Sequence, residues 1–461
     1  MNLRRLFCSM VLSVLVLLTE LSTPAWAFCG FYVSKADTTL FNKASQVAIA
    51  RDGQRTVITM ANDVSGDAVK DFAIVVPVPT VVQQDQVHVG DPKILSRLDA
   101  FSAPRLVEYF DSNPCAPPMM EDRLMQRPMP TAAAPAARAR SDNALGVTVE
   151  AQFNVGEYDI VVLGAKESSG LETWLARNGY KIPRGGAPLF RPYIRQNMKF
   201  FVAKVNLKEF NKTGYEMLRP IQIAYESSKY MLPIRLGMIN AKAAQDLVVY
   251  ILSPKGQAEV TNYRTVNVPS DANVPLFVKE EFKDFYKAAF QKAYVQEGRN
   301  VVFREYAWNM GNCDPCSADP LTPEELRQAG VFWLDDQSQS RPGRFAPPWM
   351  SSNVFITRLH VRYTRDKFPE DLVFHETANA QNFQGRYVLT HPYKGESELN
   401  CPAGRQYRRS LPARFEKEAQ TLANLTGWNI AEIRKKMNLQ QPIPQQWWKK
   451  LWNSLFDRRF A

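Results

Sequence analysis

Two cysteines separated by two residues, Cys313 and Cys316, are the residues whose type and spacing could most directly do chemistry. A C-x-x-C pair occurs in thiol–disulfide enzymes, in zinc sites and in short structural disulfides. Asp314 lies between the two sulfurs, and its negative charge opposes the thiolate form that redox catalysis needs. The nearest predicted helix begins near Thr322, too far along the chain for its N-terminal dipole to stabilise a thiolate.

A zinc site at this pair would need further ligands, such as Cys401 and a histidine. The second C-x-x-C pair that makes a zinc interpretation strong is missing from the sequence. We therefore favour a structural disulfide over redox catalysis, and redox catalysis over a metal site. No metal and no cofactor is expected.

Five cysteines remain if a leader peptide removes Cys8. They are Cys29, Cys115, Cys313, Cys316 and Cys401. An odd number cannot pair completely within one chain. We expect the bonds Cys313–Cys316 and, less securely, Cys29–Cys115, with Cys401 left as a free or intermolecular thiol.

Motifs of the common enzyme classes are missing. The sequence has no glycine-rich phosphate loop, no dinucleotide-binding fingerprint and no G-x-S-x-G elbow. His375-Glu376 begins like a zinc-protease helix, but Asn379 occupies the place of the second histidine. His360 lies in the middle of a predicted strand, where a core or cross-strand role is more common than catalysis. The remaining histidines of the mature chain are His88 and His391.

An acidic cluster at Asp366, Glu370 and Asp371 could collect a hard cation such as calcium. Its spacing is not that of a calcium loop, and Arg365 and Lys367 interrupt it. We interpret the cluster as a solvated turn.

The N-terminus has the three parts of a cleavable signal peptide. Arg4 and Arg5 precede an apolar run from Met10 to Leu18 that is too short to span a membrane, and Ala25-Trp26-Ala27 gives a small-x-small cleavage pattern. We predict cleavage after residue 27 and an exported protein, periplasmic or associated with the cell envelope. Export through the general secretory route is favoured, and the twin-arginine route stays open.

The formal net charge of the chain is +11. Outside the cytoplasm, nucleic acid is not the expected partner of a basic protein. Cell-wall polymers and anionic lipid headgroups are the available polyanions, and the expected partner is an envelope component.

Strand and helix signals alternate irregularly along the chain. The turn at Asp52-Gly53 separates two alternating segments and predicts an antiparallel hairpin. Helices are predicted to begin near five residues, Asp91, Ser102, Ser169, Lys279 and Thr322. The helix from Ser102 would turn Leu106, Tyr109 and Phe110 inward. Clustered strands with scattered helices predict an α+β fold with a mainly antiparallel sheet.

We predict one β-rich body over residues 28–440. Within it, residues 117–143 are rich in proline, alanine and arginine and are expected to form a disordered excursion.

Residues 441–461 form a basic tail rich in tryptophan. On a helix, its large apolar residues share or flank one face: Trp447, Trp448, Leu451, Trp452, Leu455 and Phe456. Tryptophan beside lysine and arginine is typical of a membrane-interface helix. A helix docked on the protein's own core gives the same pattern, and both interpretations stay open.

Five runs resemble a family of exported bacterial proteins known only as the domain of unknown function numbered 2330. The runs are C-G-F-Y-V-S-K-A-D from Cys29, V-V-P-V-P from Val75, C-D-P-C from Cys313, T-R-L-H-V-R-Y-T from Thr357 and F-P-E-D-L-V-F from Phe368. The resemblance implies a bacterial, envelope-associated protein, and it brings no activity to carry over.

The function hypothesis is an exported envelope protein with a non-enzymatic binding or structural role. The alternative is an extracytoplasmic thiol–disulfide oxidoreductase that uses Cys313 and Cys316. A hydrolase with a dispersed site is a third hypothesis, supported only by the size of the chain.

Overall fold

The computed structural model describes residues 31–34, 45–61, 72–116, 147–178, 186–213, 218–239, 244–312, 314, 318–334, 353–395 and 399–439. These residues form two compact units. Of the described residues, the large unit comprises those up to 103, those between 129 and 267 and those between 297 and 384. The small unit comprises the described residues between 104 and 128, between 268 and 296 and from 385 to 439.

The strands of both units are numbered in chain order. They are β1 (Phe31–Ser34), β2 (Ser45–Asp52), β3 (Arg55–Met60), β4 (Phe72–Val78), β5 (Val87–Val89), β6 (Arg105–Phe110), β7 (Val147–Val155), β8 (Tyr158–Ala165), β9 (Lys199–Val205), β10 (Ile221–Glu226), β11 (Met231–Leu232), β12 (Gln245–Ser253), β13 (Ala258–Val260), β14 (Arg264–Asn267), β15 (Ala272–Asn273), β16 (Val301–Asn309), β17 (Phe355–Tyr363), β18 (Leu372–Glu376), β19 (Phe383–Gln384) and β20 (Arg386–His391).

The α-helices are α1 (Lys93–Ser102), α2 (Ser168–Arg177), α3 (Ala187–Arg195), α4 (Leu207–Thr213), α5 (Phe282–Gln296), α6 (Pro323–Gln328), α7 (Pro402–Thr426) and α8 (Ile430–Lys436). Short 3₁₀ turns lie at Gln84–Gln86, Leu236–Ile239 and Leu276–Lys279. The predicted α+β class, with a sheet-rich body, is confirmed.

The largest sheet of the large unit has the order β14-β16-β17-β12-β2-β3-β10-β5, with β19 added on β16. Most neighbours are antiparallel, but β12 pairs with β2 and β14 with β16 in parallel. The predicted hairpin is present as β2 and β3, and Gly53 in its turn has a φ of 58°, a conformation that favours glycine.

A second sheet in the large unit is antiparallel throughout, in the order β1-β4-β9-β8-β7. The main core lies between this sheet and the largest one, and it includes Ile49, Ile74, Val162, Ile251 and Leu359. The outer faces are covered by helices, since α1 and α6 pack on the largest sheet and α2 and α3 on the second. A third antiparallel sheet, β11-β18-β13, completes the unit.

The small unit is built on a parallel sheet of three strands, β15-β20-β6. Helices α5, α7 and α8 cover it with a core that includes Phe285, Tyr387, Leu389, Leu422 and Ile433. The unit is assembled from three separate stretches of chain, so its sheet pairs residues that are far apart in sequence.

The helix predicted from Ser102 is wrong. Helix α1 ends at that residue, and Arg105–Phe110 form strand β6, which pairs with β20 from Arg386 to His391. The segment alternates and carries aromatic residues, which suit a strand, and its partner lies nearly 300 residues away. Tyr109 and Phe110 do not turn inward: their exposed fractions are 49% and 73%.

The helices predicted to begin near Thr322 and Lys279 are present. Thr322 caps α6 by accepting a hydrogen bond from the Glu325 N–H, and the Glu325 carboxylate accepts one from the Thr322 N–H. The long helix predicted from Lys279 is present as α5, preceded by a 3₁₀ turn.

Three predicted segments lie outside the described residues: the signal peptide (1–27), the excursion (117–143) and the tail (441–461). These three, and the single body over 28–440, stay predictions. Within the described part of the chain, no helix combines the length and apolarity needed to cross a bilayer.

Replacing Tyr387 by alanine tests the small-unit core. Tyr387 is 1% exposed and its ring meets that of Phe285 edge-on, with 4.7 Å between centroids. We expect Tyr387→Ala to lower the free energy of unfolding by about 3–5 kcal/mol, because it leaves a cavity between sheet and helices. Urea titration followed by circular dichroism measures the change. The control, Tyr109→Ala on the neighbouring strand, should change it by no more than about 0.5 kcal/mol. Equal effects would contradict the core described above.

Candidate functional site

Strand β17 carries a row of cations. Because side chains alternate between the faces of a strand, Arg358, His360 and Arg362 share one face. Leu359 and Val361 point to the opposite face, into the core between the two large sheets. The three cations lie within the run T-R-L-H-V-R-Y-T.

Strand β16 bulges beside this row. Arg304 is opposite Leu359 and Tyr306 is opposite Arg358, so Glu305 is the extra residue between them. A bulge redirects the side chain of its extra residue. Here the Glu305 carboxylate points between two cations: its Oε2 lies 2.6 Å from Arg358 Nε, and its Oε1 lies 2.7 Å from His360 Nδ1.

Two further carboxylates join the row, one beside Arg358 and one between His360 and Arg362. Asp99 of α1 accepts from Arg358 at 2.7 Å. Asp246 of β12 lies 3.4 Å from His360 Nε2 and accepts two hydrogen bonds from Arg362, each 2.7 Å long. We call this alternating series the charge ladder. Its members, in order, are Asp99, Arg358, Glu305, His360, Asp246 and Arg362.

The ladder is largely shielded from water. The side chains of Glu305, Asp246 and Arg358 are 0%, 5% and 8% exposed. Tyr250 on β12 joins the ladder by donating to Asp99 at 2.9 Å and accepting from Gln46 at 3.2 Å. The ladder therefore connects α1, β12, β16 and β17, with β2 linked through Tyr250.

Burial and pairing act in opposite directions on the ladder's pKa values. Burial lowers the pKa of His360, but the charge of Glu305 and the hydrogen bonds to Asp246 and Glu305 outweigh it and raise the pKa to about 9. Burial raises the pKa of Asp246, but hydrogen bonds from His360 and Arg362 outweigh it and lower the pKa to about 2. Burial lowers the pKa of Arg358, but Tyr250, Glu305 and Asp99 bring it above its usual value. His360, Asp246 and Arg358 are therefore ionised at neutral pH.

This arrangement suits cross-linking and not proton transfer. Both nitrogens of His360 face carboxylates, and its pKa keeps it protonated, so it cannot accept a proton at neutral pH. The interpretation of His360 as a cross-strand residue is confirmed. Among the residues that the structure describes, no group of histidine, cysteine and acidic side chains could hold a metal ion.

The interpretation of the acidic cluster as a solvated turn is wrong for Asp371. Asp366 and Glu370 are exposed, but Asp371 is only 2% exposed. Its Oδ1 accepts from the Tyr193 hydroxyl at 2.8 Å and from the Ile234 N–H at 2.9 Å, and Arg235 pairs with its other oxygen. Burial raises the pKa of Asp371, and Arg235 opposes that shift. Asp371 is a buried anchor and not part of a solvated turn.

Asp314, within the C-x-x-C sequence, is buried and hydrogen-bonded. Asp314 is 7% exposed and accepts hydrogen bonds from the Tyr306 hydroxyl and the Gln384 amide, both at 2.8 Å. Cys313, Cys316 and Cys29 lie outside the described residues, so the Cys313–Cys316 bond stays a prediction.

The predicted pairing of Cys29 with Cys115 is wrong, as is the free thiol at Cys401. Cys115 is bonded to Cys401, 286 residues later, with their Cα atoms 5.9 Å apart. Strands β6 and β20 are parallel and leave the sheet at the same end, where Phe110 is opposite His391. Both cysteines follow those strand ends within ten residues, so the sheet pairing brings them together.

Further contacts bind the same region to α7. Asp111 accepts from the Tyr407 hydroxyl and from Arg414, both at 2.6 Å. Cys401 is the N-cap of α7, and its sulfur accepts from the Gly404 N–H at 3.1 Å. The disulfide therefore links two segments that an ion pair already connects, next to a capped helix N-terminus.

A narrow apolar crevice lies between the two large sheets, lined by β3 and β10 of one and β4 of the other. Its lining includes Pro77 and Pro79 from the V-V-P-V-P run, with Met60, Met198 and Met231. It has room for about one water molecule, and its lining is almost entirely apolar, so it is not suited to orienting a polar ligand.

Sequence reasoning missed Glu305 and Asp246. Each is a carboxylate in a strand that is otherwise mostly apolar, V-V-F-R-E-Y-A-W and Q-D-L-V-V-Y-I-L. A buried charge needs a counter-charge, so such residues signal an ion pair. The partners could not be identified, because they lie 53 or more residues away.

Comparison with known families gives one match. A family model described as "Uncharacterized protein conserved in bacteria (DUF2330)" matches residues 23–375. No curated protein and no solved structure matches the chain significantly.

Replacing His360 tests the ladder. We expect His360→Gln to lower the free energy of unfolding by about 3–5 kcal/mol near pH 6, because it leaves Glu305 and Asp246 facing each other without the intervening cation. Chemical denaturation measures the loss. His375→Gln is the matched control, since His375 is exposed on β18. The ladder would lose its structural role if the two variants were equally stable.

The pH dependence of stability gives a second test. The pKa of His360 is raised in the folded state, so its contribution is complete below about pH 6.5 and is lost as pH rises through about 9. The difference between wild type and His360→Gln should therefore shrink by roughly 3 kcal/mol between about pH 6 and pH 10. Asp246 affects stability at acidic pH. Its contribution to the free energy of unfolding is present above about pH 3.8 and is lost as pH falls through about 2. A difference that stays constant across the alkaline range would show that His360 is not protonated in the fold.

Proposed function

We propose that this chain, which belongs to the DUF2330 family of uncharacterized bacterial proteins, is an exported protein of the cell envelope with a non-enzymatic binding or structural role. The observation that carries the proposal is the Cys115–Cys401 disulfide. Disulfides persist in oxidising compartments and are rare in the cytosol. The signal-peptide pattern of residues 1–27 points to the same compartment.

The chemistry of the described residues supports a role without catalysis. The most concentrated set of ionisable groups is the charge ladder, and its members neutralise one another. Asp314 and Asp371 are likewise buried and bonded to neighbouring strands and helices. These acids hold the fold, and a large β-rich surface remains for recognition.

The tail supplies the proposed contact with an anionic surface. The tryptophans at 447, 448 and 452 combine with Lys449, Lys450, Arg458 and Arg459. Such a segment places its aromatic face in the headgroup region of a bilayer, and its cations add attraction to anionic lipid. The partner is thus an acidic envelope surface, and nucleic acid is not expected.

The thiol–disulfide oxidoreductase is the second candidate. The observation in its favour is that Asp314, which lies between Cys313 and Cys316 in the sequence, is hydrogen-bonded to β16 and β19. Insulin reduction with a thiol donor, lost in Cys313→Ser, would establish this activity in place of the structural role.

Export is tested by comparing two expressed forms, the full chain and a chain without residues 1–27. Cells are quenched with an alkylating agent, and the protein is analysed by mass. We expect the full chain to begin at Phe28 and to contain the Cys115–Cys401 bond, and the leaderless chain to have both cysteines alkylated. A full chain that keeps residues 1–27 and free thiols would refute the proposed compartment.

Membrane contact is tested by sedimentation with vesicles of phosphatidylglycerol and phosphatidylcholine. The mature chain should bind, and a chain ending at Gln440 should not. Pure phosphatidylcholine vesicles and added salt should both weaken binding, since part of the attraction is electrostatic. Trp448→Ala and Lys449→Glu separate the apolar and charged contributions. Equal binding by full and shortened chains removes the tail from the proposal.

A further inference from the structure

The Cys115–Cys401 bond joins cysteines that are far apart in a chain containing nearer partners for both. Cys29 lies about 90 residues before Cys115, and Cys316 lies about 90 residues before Cys401. The native bond spans 286 residues. In an unfolded chain, the probability of closing a loop falls with the three-halves power of its length, so each nearer pair is favoured about sixfold.

The native pair can form only after part of the small unit has folded. Cys115 and Cys401 approach each other through the pairing of β6 with β20 and the contact of Asp111 with α7. Those contacts need the C-terminal part of the small unit. On export, Cys29 and Cys115 would leave the cytoplasm before Cys401 has been translocated.

We infer that the Cys115–Cys401 bond is reached by thiol–disulfide exchange, and that the protein is a substrate of an extracytoplasmic disulfide isomerase. The inference rests on the proposed export, because an oxidising compartment is where the first, nearer bonds form. The partner is identified by its chemistry: a reduced dithiol that can attack an existing disulfide.

The exchange is balanced in thiols and electrons. A disulfide oxidant first takes two electrons and two protons from Cys29 and Cys115. The isomerase thiolate then attacks the Cys115 sulfur, forming a mixed disulfide and releasing Cys29 as a thiolate. The Cys401 thiolate attacks the same Cys115 sulfur and releases the isomerase thiolate. These last two steps form one disulfide for each one broken, so only the first step is an oxidation.

The number of cysteines keeps such exchange available. When Cys115 and Cys401 are bonded, Cys29, Cys313 and Cys316 remain in the mature chain. Three cysteines cannot all pair within the chain, so each molecule retains at least one thiol or forms an intermolecular bond. Cys115 and Cys401 are both half-buried in the folded chain.

The inference is tested by oxidative refolding of the reduced mature chain. One sample receives a strong small-molecule oxidant alone, and a second receives the oxidant followed by a purified disulfide isomerase with reduced glutathione. Alkylated peptides are mapped by mass. With oxidant alone, roughly a tenth of the molecules should carry Cys115–Cys401, as loop lengths dictate. With the isomerase, most molecules should carry it.

A variant without the competing cysteines tests whether they are the reason that exchange is needed. In the triple variant Cys29→Ser, Cys313→Ser and Cys316→Ser, only the native pair remains, so oxidant alone should form the bond as fully as isomerase does. If wild type also forms it fully with oxidant alone, folding precedes oxidation and the inference is wrong. If exchange is needed in vitro but the protein made in cells keeps Cys115 and Cys401 reduced, the inference about exchange holds and the proposed export fails.

Discussion

A single buried carboxylate sets the arrangement of the large unit. Glu305 has no exposure to water and lies between Arg358 and His360. Moving an ion of this size out of water costs several kcal/mol, and only close, well-oriented counter-charges offset that cost. The bulge in β16 gives the carboxylate this position, and the register of β16 against β17 follows from it. A shift by one residue would place Leu359 where a cation is needed and would bring the cations into the apolar core.

Local features of this fold could be predicted from sequence, and long-range ones could not. The β2–β3 hairpin and the capping box of α6 each depend on residues within a few positions of one another. The alternation in T-R-L-H-V-R-Y-T predicts that the cations share a face. Their counter-ions, and the partner of β6, are chosen by tertiary contacts across many tens of residues. The same distance explains the wrong cysteine pairing: a small set of cysteines does not encode its connectivity.

The small unit includes residues on both sides of the family boundary. The family model ends at residue 375, whereas β20, α7 and α8 lie beyond it. Yet Phe285, inside the matched region, packs edge-on against Tyr387, outside it. Likewise, Cys115 lies inside the matched region and is bonded to Cys401 outside it. The C-terminal segment up to Leu439 is therefore part of a core and not an appendage, because removing it would expose the apolar faces of β6 and α5.

The charge ladder and Glu418 of the small unit differ in how they respond to pH. The pKa values of His360 and Asp246, about 9 and about 2, keep both of these groups ionised at neutral pH. In the small unit, burial raises the pKa of Glu418 to about 7, although Arg414 opposes the shift. Its Oε1 lies 3.5 Å from Arg414 Nε, too far for a strong hydrogen bond. A raised pKa on an acid means that its ionised form is destabilising, so this contribution becomes less favourable as pH rises from about 4.5 to 7. The covalent Cys115–Cys401 bond lies in the same unit as Glu418. A bond that does not titrate can hold that unit together at the pH where ionised Glu418 destabilises it.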